Sequence, residues 1–387
     1  MASSSSGIEE KPFVPVFVPS IEDGEFKAAH TALENGWLGM GSFVQEFEAR
    51  TKSFLQLKDR HTVAVSTGHA AIHLGLLLAG VGPGDEVITP SFNNIADFQA
   101  ILATGAEIVF CDIDEDTLCI DLDSAESLIT DRTKIMIVMD YGVHVCDHQR
   151  ASDIAKKHNI KIFHDAAHAF GTTYKGEMLG NQHDYTMFSF DPVKTITTID
   201  GGLLVVKSEE EMFRLHGMRL VGMGQKAATM YQNKRAWTYD VTELGFRYHM
   251  ANLHASIGLS QMDKVEKMIE NRRKHCRFYE KELSGLAECI IPTAQWDEVA
   301  PFLFYVRVPA EKREDFKAHL GKHGIDTGLH WQPGHWFELF SKCRKSDLSV
   351  TERIALELVT IPLHSNMTQE TLEQVTTAIK SFWNEAQ

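Results

Sequence analysis

Lys194 lies in the run Phe188-Ser-Phe-Asp-Pro-Val-Lys194-Thr-Ile-Thr-Thr-Ile-Asp-Gly-Gly202. The run reads as an apolar strand that breaks at Pro192 and ends in a glycine pair. A lysine just past such a strand can be held in a fixed, partly dry position. Loss of water disfavours the ammonium form, so the amine becomes a usable nucleophile near neutral pH. Upstream, Ile160-Lys-Ile-Phe-His-Asp165-Ala-Ala-His168-Ala-Phe-Gly171 reads as a buried strand ending in an acid. A buried carboxylate needs a partner. A third stretch, Thr62-Val-Ala-Val-Ser66-Thr-Gly68-His69, reads as a strand and tight turn, with a helix over Ala70 to Ala79. Free N–H groups at that helix start, with the helix dipole, form an anion site. Ser189, on the lysine strand, can add a hydroxyl.

Each piece has a plain reading alone: a surface lysine, a structural turn aspartate, a common strand–glycine–helix turn. Together they suit one cofactor. A neutral lysine forms a Schiff base with an aldehyde, and pyridoxal phosphate is the commonest aldehyde cofactor. An ionised Asp165 keeps its pyridine nitrogen protonated, which lets the ring accept electrons. His168 can hydrogen-bond the ring oxygen.

These residues need elements to position them. Apolar, β-rich runs at 61–66, 86–90, 106–111, 134–139, 160–164, 185–190 and 202–206 alternate with helical patterns. The class is α/β: a mainly parallel central sheet with helices on both faces and ligand groups at strand ends. Residues 251–284 read as one long amphipathic helix. A strand from Phe302 to Val308 and helices near 311–322 and 368–384 give a smaller C-terminal α+β domain. The expected division is an N-terminal arm over 1–24 with a disordered first part, a large cofactor-binding domain over 25–262, and a linking helix with the small domain over 263–387.

The chain resembles the DegT/DnrJ/EryC1/StrS sugar aminotransferases, within the fold-type I pyridoxal phosphate enzymes. Besides the three pieces above, the resemblance rests on Gly36-Trp-Leu-Gly-Met-Gly41 and Gly82-Pro-Gly-Asp-Glu-Val-Ile-Thr-Pro-Ser-Phe92. It also rests on Asp140-Tyr-Gly-Val-His144, Gly245-Phe-Arg-Tyr-His-Met250, Gly324-Ile-Asp-Thr-Gly-Leu-His330 and Ile361-Pro-Leu-His364. The match is collinear from about residue 20 to the end, which is more specific than any one motif. It implies that Lys194 carries the cofactor, Asp165 pairs with the pyridine nitrogen, and His168 contacts the ring oxygen. It implies that Ser189, Gly68 and His69 hold the phosphate. Trp37, His330 and Trp331 fall near where family substrates bind. The implied reaction moves an amino group from an amino acid, glutamate, to a nucleotide-linked keto-sugar. The resemblance further implies a homodimer with shared sites.

Some positions depart from the family pattern. His69 stands for Thr, Asn94 for the aromatic residue that stacks on the cofactor, and Asp200 for Glu. Arg247 stands where an Asn of the neighbouring subunit often reaches the phosphate, and guanidinium matches phosphate well. Some relatives replace the lysine with His and act as dehydratases. The retained Lys194 favours amino transfer, with a dehydratase or a non-sugar ketone as alternatives.

Composition narrows the field. The chain has 387 residues and a formal net charge of −15, which argues against a nucleic-acid binder. No apolar run is long enough to span a membrane, and Met1-Ala-Ser-Ser-Ser-Ser-Gly7 is no signal peptide. The six cysteines are scattered without a CxxC pair and read as reduced thiols of a cytoplasmic enzyme. Two rivals come from other classes. His69 with His73, or His144-Val-Cys146-Asp147-His148, could hold the metal of a hydrolase, although neither matches a zinc motif. A cofactor-binding regulator without turnover is the other. The expected site carries no metal.

Overall fold

The structure is a computed structural model that describes residues 12–224, 231–233 and 238–385. The first part of the arm, residues 1–11, lies outside the described residues. Two helices open the chain, α1 (Asp23–Glu34) and α2 (Ser42–Phe54). Alternation follows: β1 (His61–Val65), α3 (Gly68–Leu78), β2 (Glu86–Pro90), α4 (Ile95–Ala103), β3 (Glu107–Cys111) and α5 (Leu122–Ser127). Next come β4 (Thr133–Met139), α6 (His148–His158), β5 (Lys161–Asp165), and a small hairpin of β6 (Thr173–Tyr174) and β7 (Glu177–Met178). The stretch closes with β8 (Tyr185–Ser189), β9 (Gly202–Val206) and α7 (Glu209–Met218), and a short antiparallel pair follows, β10 (Met223–Gly224) and β11 (Asp240–Val241). Each of the seven apolar runs read from the sequence is a strand here, with ends that agree to within one residue.

The main sheet has the order β1-β9-β8-β5-β4-β2-β3, with β13 (Arg344–Lys345) added beside β3. It is parallel from β8 to β13, while β9 runs antiparallel to both β8 and β1. Strand alternation sorts the core into two faces. Val87, Ile135, Ile137 and Phe163 pack with α3 and α4 through Leu74, Leu78, Phe98 and Ile101. Their neighbours Ile88, Met136, Val138 and Ile162 pack the other way, on Leu122, Ala125, Ala151 and Ile154 of α5 and α6.

The expected single helix over 251–284 is two, Asn252–Met262 and Val265–Leu283. Lys264, at the break, leaves the helical region (φ −124, ψ 8), and its ammonium bonds Ser20 O and Glu25 Oε2. That tie to the start of the chain outweighs the continuous amphipathic pattern. Beyond it, β12 (Phe304–Arg307) pairs antiparallel with β14 (Leu358–Ile361). Helices Arg313–Lys322 and Gln369–Glu385 cover this pair around Phe304, Val306, Phe316, Val359 and Ile379. The arm joins this unit: Val14 N donates to Gly324 O, Asp326 N to Val14 O and Leu363 N to Val16 O. Among the described residues, no helix is long and apolar enough to cross a membrane.

Candidate active site

The loops after β1, β2, β5 and β8 meet at the carboxyl ends of the parallel strands, where ligands of open α/β sheets bind. They enclose a cavity of about 430 Å³. Gly68, His69, Asn94, Asp165, His168, Ser189, Lys194, His330 and Trp331 all line it. Trp37 and Arg247 do not. The Trp37 indole donates to Met40 O in its own loop, and Arg247 is exposed beside Leu220.

Helix α3 starts at the cavity. Thr67 caps it, its hydroxyl accepting from Ala70 N (2.9 Å) and its carbonyl from Ala71 N. The amides of Gly68 and His69 have no partner among the described residues, which leaves two donors for an anion. A β-carbon at Gly68 would lie 3.0 Å from both Cβ and Oγ of Ser189. One at Gly202 would fall 2.3 Å from Thr67 O. Glycine is thus required where the lysine loop returns to the sheet beside the α3 turn. His69 Nδ1 donates to Ala96 O (3.0 Å), so its Nε2 can donate to an anion only as the imidazolium. Asn94 is the N-cap of α4, accepting from Ala96 N (2.9 Å).

Asp165 ends β5, and its Oδ1 accepts from Ala167 N (2.9 Å). Burial raises its pKa to about 6, against the pull of that N–H and of Lys194. Lys194 follows the turn after β8, its N–H bonded to Asp191 O, and its Nζ sits 4.2 Å from the Phe302 ring centroid. Burial brings its pKa down to about 8, opposed by Asp165 and Asp191. Phe302 in turn stacks on His168 (4.2 Å) and Phe17 (5.1 Å), and His168 on Trp331 (6.0 Å). Gly142 N donates to His168 Nδ1 (3.2 Å), so the neutral ring carries its proton on Nε2. Burial and the Lys194 charge hold His168 well below its ordinary pKa.

Sequence reading did not single out Asp97, Asp191 or Phe302, each of which lines the cavity. Asp97 is fully buried in the first turn of α4. An acid in an otherwise apolar helix stretch (Ile-Ala-Asp97-Phe) was the available signal. Phe302 is far away in sequence and carried none.

The metal rival is not supported in the form expected. His144 Nε2 bonds Tyr305 OH, and Asp147 caps α6. His69 and His73 stack with ring centroids 6.5 Å apart, and His69 is committed to Ala96 O. His148 instead joins Asp140 and His164, the group among the described residues whose donor atoms lie close enough to share an ion. A hydrogen-bond chain accounts for it without one. His164 Nε2 meets Asp140 Oδ2 (2.7 Å), His148 Nε2 lies 3.1 Å from Oδ1, Cys146 N donates to Oδ1, and His183 meets His148 Nδ1 (2.8 Å).

Comparison with known proteins decides the family, since residues 19–380 match the DegT/DnrJ/EryC1/StrS aminotransferase family. The chain belongs to it. It is 32% identical over 379 residues to the spore coat polysaccharide biosynthesis protein SpsC of Bacillus subtilis, covering 96% of this chain and 97% of that one. It is 30% identical to the uncharacterized protein MJ1066 of Methanocaldococcus jannaschii, over 96% and 98% of the two chains. The putative sugar aminotransferase Spr1654 of Streptococcus pneumoniae, in its PMP form, superposes with a TM-score of 0.89 at 28% identity, covering 97% and 100%. That protein is also known in a PLP form. The fold is therefore that of the pyridoxal phosphate-dependent aminotransferases, and the protein is one of these enzymes. The cavity fits the cofactor: two free amides at a helix start, a buried acid and a lysine of lowered pKa share one wall.

Proposed function

We propose that this enzyme moves an amino group from an amino acid, glutamate, to a keto-sugar carried on a nucleotide. The observation that carries the reading is Lys194 and Asp165 lining one cavity beside the open start of α3. Pyridoxal phosphate, when bound, supplies an electron sink for the pair left behind when a C–H bond next to nitrogen breaks. Lys194 holds the cofactor. Its Nζ would take the proton from the donor's α-carbon as general base and give a proton back as general acid, with the order reversed on the acceptor. A pKa of about 8 leaves part of the amine free at neutral pH. The Asp165 carboxylate holds the proton of the pyridine nitrogen in place. His168 offers its Nε2–H to the ring oxygen. The Gly68 and His69 amides and the Ser189 hydroxyl hold the phosphate. Asn94 lines the cavity and would offer a bound cofactor no aromatic ring to stack on. The Phe302–His168–Trp331 stack keeps water off the reacting side.

His330 and Trp331 face the substrate. Trp37 and Arg247 reach a site only from a neighbouring copy, which suits a homodimer with shared sites, and the cytoplasm suits its reduced cysteines. A non-sugar ketone is the second reading. Among the described residues, Lys194 is the one Lys or Arg of the cavity lining, against Asp97, Asp165, Asp191 and Asp200. A diphosphate needs cations that those described residues lack, and a second copy's Arg247, expected at the cofactor phosphate, would add positive charge nearby.

The test follows the bound cofactor's visible absorption. Glutamate should bleach it, and the correct keto-sugar nucleotide should restore it. Lys194→Ala should abolish turnover and the borohydride-fixed label at this position. Normal turnover in that variant would sink the assignment, and bleaching by another amino acid alone would change the donor.

A further inference from the structure

Asp97 is a polar group that the proposed mechanism leaves idle. It is 0% exposed, lines the cofactor cavity, and stands in the first turn of α4. One carboxyl oxygen, Oδ2, accepts from Asn93 Nδ2, and the other, Oδ1, has no partner. A buried polar atom left unmatched is costly, and in a cavity wall it is the filling ligand that can match it. Asp165 lies within electrostatic reach, and two like charges in one dry site oppose each other's ionisation. Burial first, and Asp165 second, push Asp97 well above the usual carboxylate range. The other titratable groups that line the same cavity are His69, His168, Asp191, Lys194, Asp200 and His330. Lys194 faces Asp165, whose pKa it lowers.

We propose that Asp97 is a second carboxyl of the cofactor site, a proton-bearing acid whose free oxygen contacts the bound pyridine compound while Asp165 supplies the charge. The pair then holds one proton between two carboxyls. Asp97 donates a hydrogen bond from its free oxygen and keeps its proton in the complex. This inference rests on the cavity being the pyridoxal phosphate site.

The probe is 4′-deoxypyridoxine 5′-phosphate, which lacks the aldehyde and so binds without reacting with Lys194. Its binding to cofactor-free protein is measured by calorimetry in buffers of different ionisation enthalpy. Asp97→Asn keeps shape and donor but cannot ionise, so its affinity should stay within about threefold, while Asp97→Ala should bind about tenfold more weakly. Asp97→Asn should also exchange the same number of protons on binding as the wild type, because Asp97 keeps its own. Infrared spectra of the complex should show a protonated carboxyl in the wild type that Asp97→Asn lacks. Proton counts that differ by about one, or wild-type affinity in a folded Asp97→Ala, would overturn the proposal. Failure of the wild type itself to bind the probe would instead remove the cofactor assignment of the cavity, and this inference with it.

Discussion

Asp140 and Asp165 stand at the ends of neighbouring parallel strands, with Met139 paired to Asp165, and they are 1% and 3% exposed. Burial pushes both carboxyls upward. At Asp140, His148 and His164 overcome it and hold the group well below the usual carboxylate range. At Asp165, one amide and a neighbouring lysine do not, and the pKa stays up at about 6. The difference is hydrogen-bonding, since Asp140 is ringed by donors that belong to the fold. Asp165 spends one oxygen on Ala167 N and keeps the rest of its capacity for the cavity. Equal burial can thus make one acid an internal strut and its neighbour a socket.

Substitutions at the two positions should separate these roles. Asp165→Asn should cut turnover at least a hundredfold, about 3 kcal/mol of lost charge stabilisation, with little change in urea denaturation. Because Asp165 raises the Lys194 pKa, the same variant should shift amine labelling of Lys194 in cofactor-free protein to lower pH. Wild-type labelling should rise through about pH 8 rather than 10.5. Unchanged turnover in Asp165→Asn would erase the distinction between strut and socket.

Asp140→Asn should do the opposite. It should cost about 2–3 kcal/mol of stability, the loss of charge-assisted hydrogen bonds, and spare Lys194 labelling. The pH signs follow. His164 and His183 are held below their ordinary values, so unfolded copies take up protons below about pH 6.5 that folded ones refuse. Wild-type stability therefore falls with acid there. It falls again below about pH 4, where unfolded Asp140 is protonated and the folded group is not. The second fall should be shallower in urea midpoints of Asp140→Asn, with Glu25, Glu86 and Asp147, also held low, supplying the remainder.

Two smaller effects sharpen the contrast within the cavity wall. Asn94→Ala should lower stability by about 1 kcal/mol through the lost α4 cap, as read from thermal or urea unfolding. Phe302→Leu should remove the ring face over which the Lys194 ammonium sits. Its labelling pKa should then drop by less than about one unit, the size of an ordinary cation–π contact.

Much of this was legible in the sequence because it is local. Continuous apolar, β-rich runs mark the strands, and Asp165, Ser189 and Lys194 each end or follow one, so a parallel sheet gathers them at its carboxyl edge. Gly68 and Gly202 marked close approaches of backbone that the fold then showed. What depends on distant segments was not legible. Phe302 reaches Lys194 from a distant part of the sequence, and β13 adds its two residues from the far C-terminal part of the chain. Asp97 had a local signal, an acid among apolar neighbours, but nothing local says that it shares a cavity with Asp165. The helix break at Lys264 was hidden because its cause, Glu25 and Ser20, lies at the other end of the chain.

Phe17 rests on Phe302, and Phe302 backs Lys194. Val14 and Val16 meanwhile bond the chain around Gly324, Asp326 and Leu363. The segment around Val14 to Phe17 is therefore anchored by segments synthesised much later. On the ribosome, Lys194 and Asp165 emerge long before the wall that shelters them. Until residues near 363 are delivered, the half-built cavity exposes its aromatic lining to whatever is near. Such long-range closure slows folding and leaves sticky surface open, which makes chaperone capture of the nascent chain a natural stage in the birth of this enzyme.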